Sequence, residues 1–301
     1  MAANAKPRIL ITGASGLLGE ALCRRARAKW SVVGLWHRHR VRVPGIEMVQ
    51  TDLTDPSGLE TLLAGQDLQA VIHAAALAQP ATCEQEPQHS AAVNVQATER
   101  LAAMCARRQI PFLFISTDLV FDGLQPPYDE ARAVSPVCVY GRHKAEAEQL
   151  VLRRYPEALV CRLPLMFGLR DGPATSFGQQ MLTAIRSGRP LRLFIDEFRT
   201  PVDTDSAAQG LLAMVGRSGG LLHLGGRTRV SRYELGLLMA RCMGVAPAML
   251  QPVSLPAVAT EAARSPDCSL DSRKAYGLGY DPAPLEEGVA AVVAQFQSTF
   301  K

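Results

Sequence analysis

The chain has 301 residues, 48% of them apolar and 20% charged, with a formal net charge of +4. That is enough for a large core and too apolar for disorder, and the small basic excess, without a dense Lys/Arg run, argues against a nucleic-acid partner. No stretch approaches the roughly 20 apolar residues that cross a bilayer, and the polar start lacks an apolar signal region, so no membrane partner and a cytoplasmic location are expected.

In chain order, segments 8–12, 31–36, 46–51, 70–74 and 111–116 read as short buried strands, separated by stretches such as 17–29 and 88–108 with helical periodicity. A helix over 140–154 and a strand over 158–163 follow. Fully apolar strands alternating with helices predict an α/β fold: a Rossmann-type, doubly wound parallel sheet covered on both faces. After about residue 164 prolines and glycines are frequent, and helices near 176–187, 204–215, 231–243 and 285–297 lie between longer loops. The expected division is a dinucleotide-binding domain over 1–164 and a smaller substrate-binding region over 165–301, part of it returning to the sheet near 203–224. Met239 and Met243, at helical spacing, read as core.

Seven scattered cysteines, never spaced Cys-x-x-Cys, point to a reducing compartment rather than to disulfides or zinc. Histidines and carboxylates at metal-ligand spacing are absent too, so no metal is expected.

Gly13-Ala14-Ser15-Gly16-Leu17-Leu18-Gly19 joins the first strand to the first helix. Glycines there permit a tight turn and a close backbone approach to a pyrophosphate, and the helix N-terminus faces its charge. At the end of the second strand, where an acid would bind the ribose 2′-hydroxyl of NAD, stands His37-Arg38-His39-Arg40. A guanidinium pairs with a 2′-phosphate, so NADP(H) is expected over NAD(H), with Arg38 as the contact; a solvated basic loop is the plainer reading. Asp52-Leu53 either meets the adenine or makes a turn.

Tyr140 and Lys144 are four residues apart on the predicted helix 140–154, hence on one face. A cation beside a phenol would lower its pKa towards the working range. Ser116-Thr117-Asp118 ends the fifth strand, at the edge where open α/β sheets bind ligands; Thr117 is placed to bond a substrate carbonyl oxygen, or else caps a turn. His143 should point to the surface.

Together these features resemble the extended short-chain dehydrogenase/reductases, and within them the dTDP-4-dehydrorhamnose reductase family, to which the methionine adenosyltransferase regulatory beta subunit is close. The matching stretches are ITGASGLLG (11–19), TDLTD (51–55), HAAA (73–76), Asn94-Val95, STDLVFDG (116–123), PPYDE (126–130), SPVCVYGRHKAEAE (135–148), RLPLMFG (162–168) and RSPDCSLD (264–271). The resemblance implies reduction of the keto group of a small-molecule substrate, a nucleotide sugar, with hydride from NADPH. It implies Thr117, Tyr140 and Lys144 as the catalytic trio, with Tyr140 as the acid. Gly13 to Gly19, Asp52, Leu53, Ala75, Ala76 and Leu77 would line the cofactor with Tyr140 and Lys144, and a homodimer is implied. Asn94 is either part of a proton relay or a buried turn-stabilising amide.

The sequence departs from the family pattern at Leu119 (usually Tyr), His73 (usually Asn), Leu77 (commonly Tyr or His) and across 197–201, where Arg199 either pairs with a substrate phosphate or is a solvated loop charge. Two further functions are compatible with the motifs: an NADP(H)-binding regulatory or scaffold subunit of the methionine adenosyltransferase beta type, and a sugar-nucleotide epimerase or dehydratase.

Overall fold

In the computed structural model, which describes residues 6–171, 176–217 and 219–299, short apolar runs pair into one parallel seven-stranded sheet. Six of its strands come from the first 163 residues: β1 (Arg8–Thr12), β2 (Ser31–Trp36), β3 (Glu47–Gln50), β4 (Ala70–His73), β5 (Phe112–Thr117) and β6 (Leu159–Leu163). Then come β7 (Met166–Phe167), β8 (Leu191–Phe194), β9 (Phe198–Arg199), β10 (Val202–Asp203), β11 (Gly220–His223), β12 (Val230–Ser231) and β13 (Leu250–Val253). Of these, β11 pairs with β6 and completes the large sheet, in the order β11-β6-β5-β4-β1-β2-β3. The others form two-stranded ladders, β10 with β7, β12 with β9 and β13 with β8.

Eleven α-helices are found among the described residues. They are α1 (Leu17–Ala26), α2 (Pro56–Ala64), α3 (Pro80–Gln85), α4 (Pro87–Ala91), α5 (Ala97–Arg107) and α6 (Val139–Arg154), then α7 (Phe177–Ser187), α8 (Thr204–Met214), α9 (Arg232–Cys242), α10 (Arg273–Gly277) and α11 (Leu285–Thr299). Successive strand residues point to opposite faces. Ile9 and Ile11 therefore share one core with Leu18 and Leu22 of α1 and Leu211 of α8, while Leu10 belongs to another with Leu59 of α2, Leu101 of α5 and Val151 of α6. A third core, with Met181, Leu235, Met239 and Phe296 buried, draws only on residues after Leu163, and Met243 packs against it.

The predicted helix over 17–29 stops at Ala26, where the amides of Lys29 and Trp30 turn back onto the Ala26 carbonyl. The predicted helix over 88–108 is interrupted by one π-turn, Ala92–Gln96, which carries Asn94. The sequence reading did not assign α2, although its start is written locally: the Asp55 side chain accepts from the Ser57 amide ahead of a first-turn proline.

Candidate active site

Strand order reverses between β1 and β4, and in an open α/β sheet the crevice for a ligand opens at the carboxyl ends of such a pair. Gly13 closes β1 with φ +68°, and a Cβ there would lie 2.8 Å from Ala75 Cα, so only glycine lets the turn press against the end of β4. A buried chain of hydrogen bonds fixes that junction. The Ala75 amide donates to Thr12 Oγ1 at 3.0 Å, Thr12 Oγ1 lies 2.7 Å from His73 Nδ1, and His73 Nε2 lies 2.9 Å from Thr98 Oγ1. Thr98 donates its own proton to the Asn94 carbonyl at 2.9 Å, so His73 carries its hydrogen on Nε2 and accepts at Nδ1. Burial holds this imidazole neutral, with its pKa pushed down to about 3, and the charge of Lys144 adds to the effect. Asn94 spans the backbone of Leu77, accepting from its amide at 2.9 Å and donating to its carbonyl at 3.1 Å. Of its two readings, the buried amide is what this geometry displays.

A cleft of about 260 Å³ opens above this junction. Of the predicted cofactor residues, Gly13, Ser15, Gly16, Arg38, Asp52, Leu53, Ala75, Ala76 and Leu77 line it. Ala14, Leu18 and Gly19 are buried beneath, Leu17 is half-buried outside the lining, and the Ala14 amide is taken by the Leu35 carbonyl at 2.8 Å. The amides of Leu17, Leu18 and Gly19 form the first turn of α1, where a helix offers no acceptor of its own and an anion is favoured. Arg38 is exposed on the rim. Asp52 lines the cleft and also makes a turn: its Oδ1 accepts from the Thr54 amide at 2.8 Å and from the Thr54 hydroxyl at 2.7 Å, which lowers its pKa.

These residues fit a dinucleotide. Backbone amides would face its phosphates, Leu53, Ala76 and Leu77 supply apolar wall, and two donors of the lining, Trp36 Nε1 and Arg170 Nε, are buried without a partner among the described residues.

The trio lies beside the cleft, outside its lining. Leu77 belongs to both places, since it also packs on the cluster that contains Tyr140, Cys83, Cys138 and Ala262, together with Leu119. Gly141 sets this contact: a Cβ there would lie 2.1 Å from the Leu119 carbonyl oxygen, so the first turn of α6 can rest on the end of β5. Tyr140 and Thr117 are each 8% exposed and Lys144 is 2% exposed, so all three groups are desolvated.

The electrostatics of Tyr140 differ from the sequence expectation. Burial pushes its phenol pKa up, the charge of Asp118 and the thiols of Cys83 and Cys138 push the same way, and the Thr117 hydroxyl pulls against them. Lys144 instead donates to the Ile115 carbonyl at 2.6 Å, sits 4.0 Å from the centre of the Phe114 ring and has its pKa driven down to about 7 by burial, against the pull of Glu148. Thr117 donates to Asp118 Oδ1 at 3.1 Å and accepts from the Leu119 amide at 3.2 Å, so it serves as a turn cap in the same geometry that aims it at Tyr140.

Arg199 corrects both of its readings, for it neither faces a substrate phosphate nor sits in a solvated loop. It is 2% exposed, with Nε 3.1 Å from Asp118 Oδ2 and Nη2 3.3 Å from Glu197 Oε1 and 3.1 Å from the Ser265 carbonyl. Burial pushes Asp118 up despite Arg199, whereas Arg232, Arg199 and Arg264 outweigh the burial of Glu197 and hold its carboxyl low. A second buried pair joins Arg162 of β6 to Glu148, one turn after Lys144 on α6, at 2.8 and 2.5 Å. His143 is half-buried rather than on the surface, with Nδ1 2.8 Å from Ser90 Oγ. Sequence reasoning missed Asp118, Glu148 and Arg162 as parts of the site's surroundings, although all three lie within the motif stretches that carry the resemblance.

Among the described residues no group of His, Cys, Asp or Glu side chains is placed to hold a metal ion, and no helix is long and apolar enough to cross a membrane.

Three comparisons bear on this architecture. The chain is 31% identical over 292 residues to a protein of Haloferax volcanii named as a probable low-salt glycan biosynthesis reductase, covering 95% of this chain and 97% of that one. It is 30% identical to the methionine adenosyltransferase 2 subunit beta of Mus musculus, over 94% of this chain and 86% of the relative. Among solved structures, a hypothetical dTDP-4-dehydrorhamnose reductase from Sulfolobus tokodaii superposes with a TM-score of 0.79 at 27% identity, covering 90% and 94% of the two chains. Residues 7–298 match the family described as the RmlD substrate binding domain, and the resemblance read from the motifs holds: the chain belongs to that family.

Proposed function

We propose that the protein is an NADPH-dependent reductase of a keto group on a nucleotide sugar, of the dTDP-4-dehydrorhamnose reductase kind. The observation that carries this reading is a desolvated phenol, Tyr140, set by Gly141 against the Thr117 end of β5, next to a cleft at the switch point of the sheet. Kinship with a named reductase supports it.

The first-turn amides of α1, Arg38 and Lys144 would hold the dinucleotide, which supplies the hydride when bound. The absence of an acid at the end of β2, with Arg38 on the rim, supports NADP(H) over NAD(H). Tyr140 is held in its protonated form, the form a reductase needs, because the phenol must give its proton to the alkoxide oxygen that develops on the substrate. Thr117 turns its hydroxyl proton from Asp118 to the same oxygen, so two donors meet the charge as it forms. Glu148, fixed by Arg162, favours the charged form of Lys144 against its burial. The region after residue 164, with a core of its own, is the proposed substrate-binding part.

The test is a panel of nucleotide-linked 4-keto sugars offered with NADPH, followed by nicotinamide absorbance. Stoichiometric NADPH loss with alcohol formation is expected. Conversion without net NADPH loss would identify an epimerase or dehydratase. The similarity to the methionine adenosyltransferase subunit supports a second reading, a regulatory subunit, which predicts no turnover and a stoichiometric protein partner.

A further inference from the structure

One guanidinium of the cleft comes from the far half of the chain. Arg170 follows β7, yet it lines the same cleft as Ser15, Gly16 and Arg38, and its Nη2 donates to the Ser15 carbonyl inside the glycine turn. Its backbone is held on both sides. The Arg170 amide donates to Gln179 Oε1 at 3.3 Å and its carbonyl accepts from Gln179 Nε2 at 3.0 Å, which ties it to α7. The next amide, of Asp171, donates to the buried Glu20 Oε2 at 3.0 Å, and Arg24 reaches the Asp171 carboxylate at 2.7 Å, which ties it to α1.

This anchoring presents a charge that cannot be lost, and among the described residues no carboxylate neutralises it. Its Nε is buried without an acceptor among the described residues. A buried N–H left unpaired is costly, so an acceptor at this point is to be expected. The chemistry facing it is a turn whose free amides already select an anion. Planar, doubly donating guanidinium matches phosphate oxygens better than any other ligand that such a turn takes.

We propose that Arg170 binds a phosphate group of the dinucleotide, so that a residue just after β7 joins the glycine turn in holding the cofactor. The inference rests on the dinucleotide reading given above. It adds a binding residue that no motif of the first half contains, and it links cofactor uptake to the α7 side of the molecule.

Calorimetric titration of the full chain and of Arg170→Gln with NADP+, ADP and 2′-AMP tests it. Unliganded variants are first compared with wild type in thermal unfolding. Arg170→Gln should bind NADP+ at least about 10-fold more weakly. A loss confined to ADP assigns the guanidinium to the pyrophosphate; a loss confined to 2′-AMP assigns it to the 2′-phosphate. Arg170→Lys keeps the charge without the fork and should fall between the two, which preserves the test if the glutamine variant does not fold. Unchanged NADP+ affinity, or equal losses on both fragments as a collapsed turn would give, overturns the proposal while leaving the cofactor reading intact. If the wild-type chain takes up none of the three, the cofactor reading itself fails.

Discussion

Around the phosphate turn the site is made of backbone and of charge facing water: free amides of α1, a glycine at φ +68° and an exposed Arg38. Around Tyr140 it is made of side chains removed from water, where Lys144, Asp118, Arg199, Glu148 and Arg162 are each at least 96% buried. On the proposed reading the first region binds through geometry that a short peptide already specifies. The second works through electrostatics that only the assembled fold creates. An exposed charge is screened and tolerant, whereas a buried charge without its partner is expensive.

That contrast predicts unequal responses to mutation. The largest effect on stability is expected for Arg199→Met, which strands the Asp118 carboxylate in the interior. It should cost about 3–5 kcal/mol in urea unfolding, and adding Asp118→Asn should recover part of it. A cost within the usual range of a surface ion pair would erase the contrast. Next comes Arg38→Ala, expected to weaken NADPH about 10-fold by removing one charge-assisted contact, with NADH little changed and stability untouched. Equal losses for both dinucleotides would remove Arg38 from the 2′-phosphate site.

The last and most diagnostic effect is in pH. His73 is held at about 3 and His223 at about 4, against 6.5 for the free side chain. In that interval the unfolded chain binds protons that the folded one refuses, so stability falls as the pH drops from 6.5 towards 3, by at most roughly 1.4 kcal/mol per pH unit for each histidine. Lys144, at about 7 against 10.5, acts with the same sign higher up: its contribution to stability grows as the pH rises from 7 to 10.5. The difference between wild type and Lys144→Met in chemical unfolding should therefore change across pH 7–10, and that between wild type and His73→Asn across pH 3–6.5. Differences independent of pH would mean that these groups keep water around them.

The same division explains what could be read in advance. The five early strands and the glycine turn are local patterns, and they fall at or within a residue of their predicted positions. Tyr140 and Lys144 share a face of α6 because about four residues make one helical turn. By contrast, that Lys144 would bond the Ile115 carbonyl, and that the thiols of Cys83 and Cys138 would face the phenol, depends on how α3, β5 and α6 pack together. Arg199 was misread for the same reason: a charge in a loop looks solvated until β9 carries it under the Ser265 segment. His73 could not be judged from its departure from the family pattern, because Thr12 and Thr98, 61 and 25 residues away, supply its two partners.

The reading of the site turns on proton donation by Tyr140. Single-turnover reduction of a nucleotide-linked 4-keto sugar by the NADPH-loaded protein measures it, with wild type set against Tyr140→Phe and NADPH affinity determined for both. The phenylalanine variant should bind NADPH as wild type does and transfer hydride about 10²–10⁴-fold more slowly. Equal hydride-transfer rates for the two proteins would contradict the assignment.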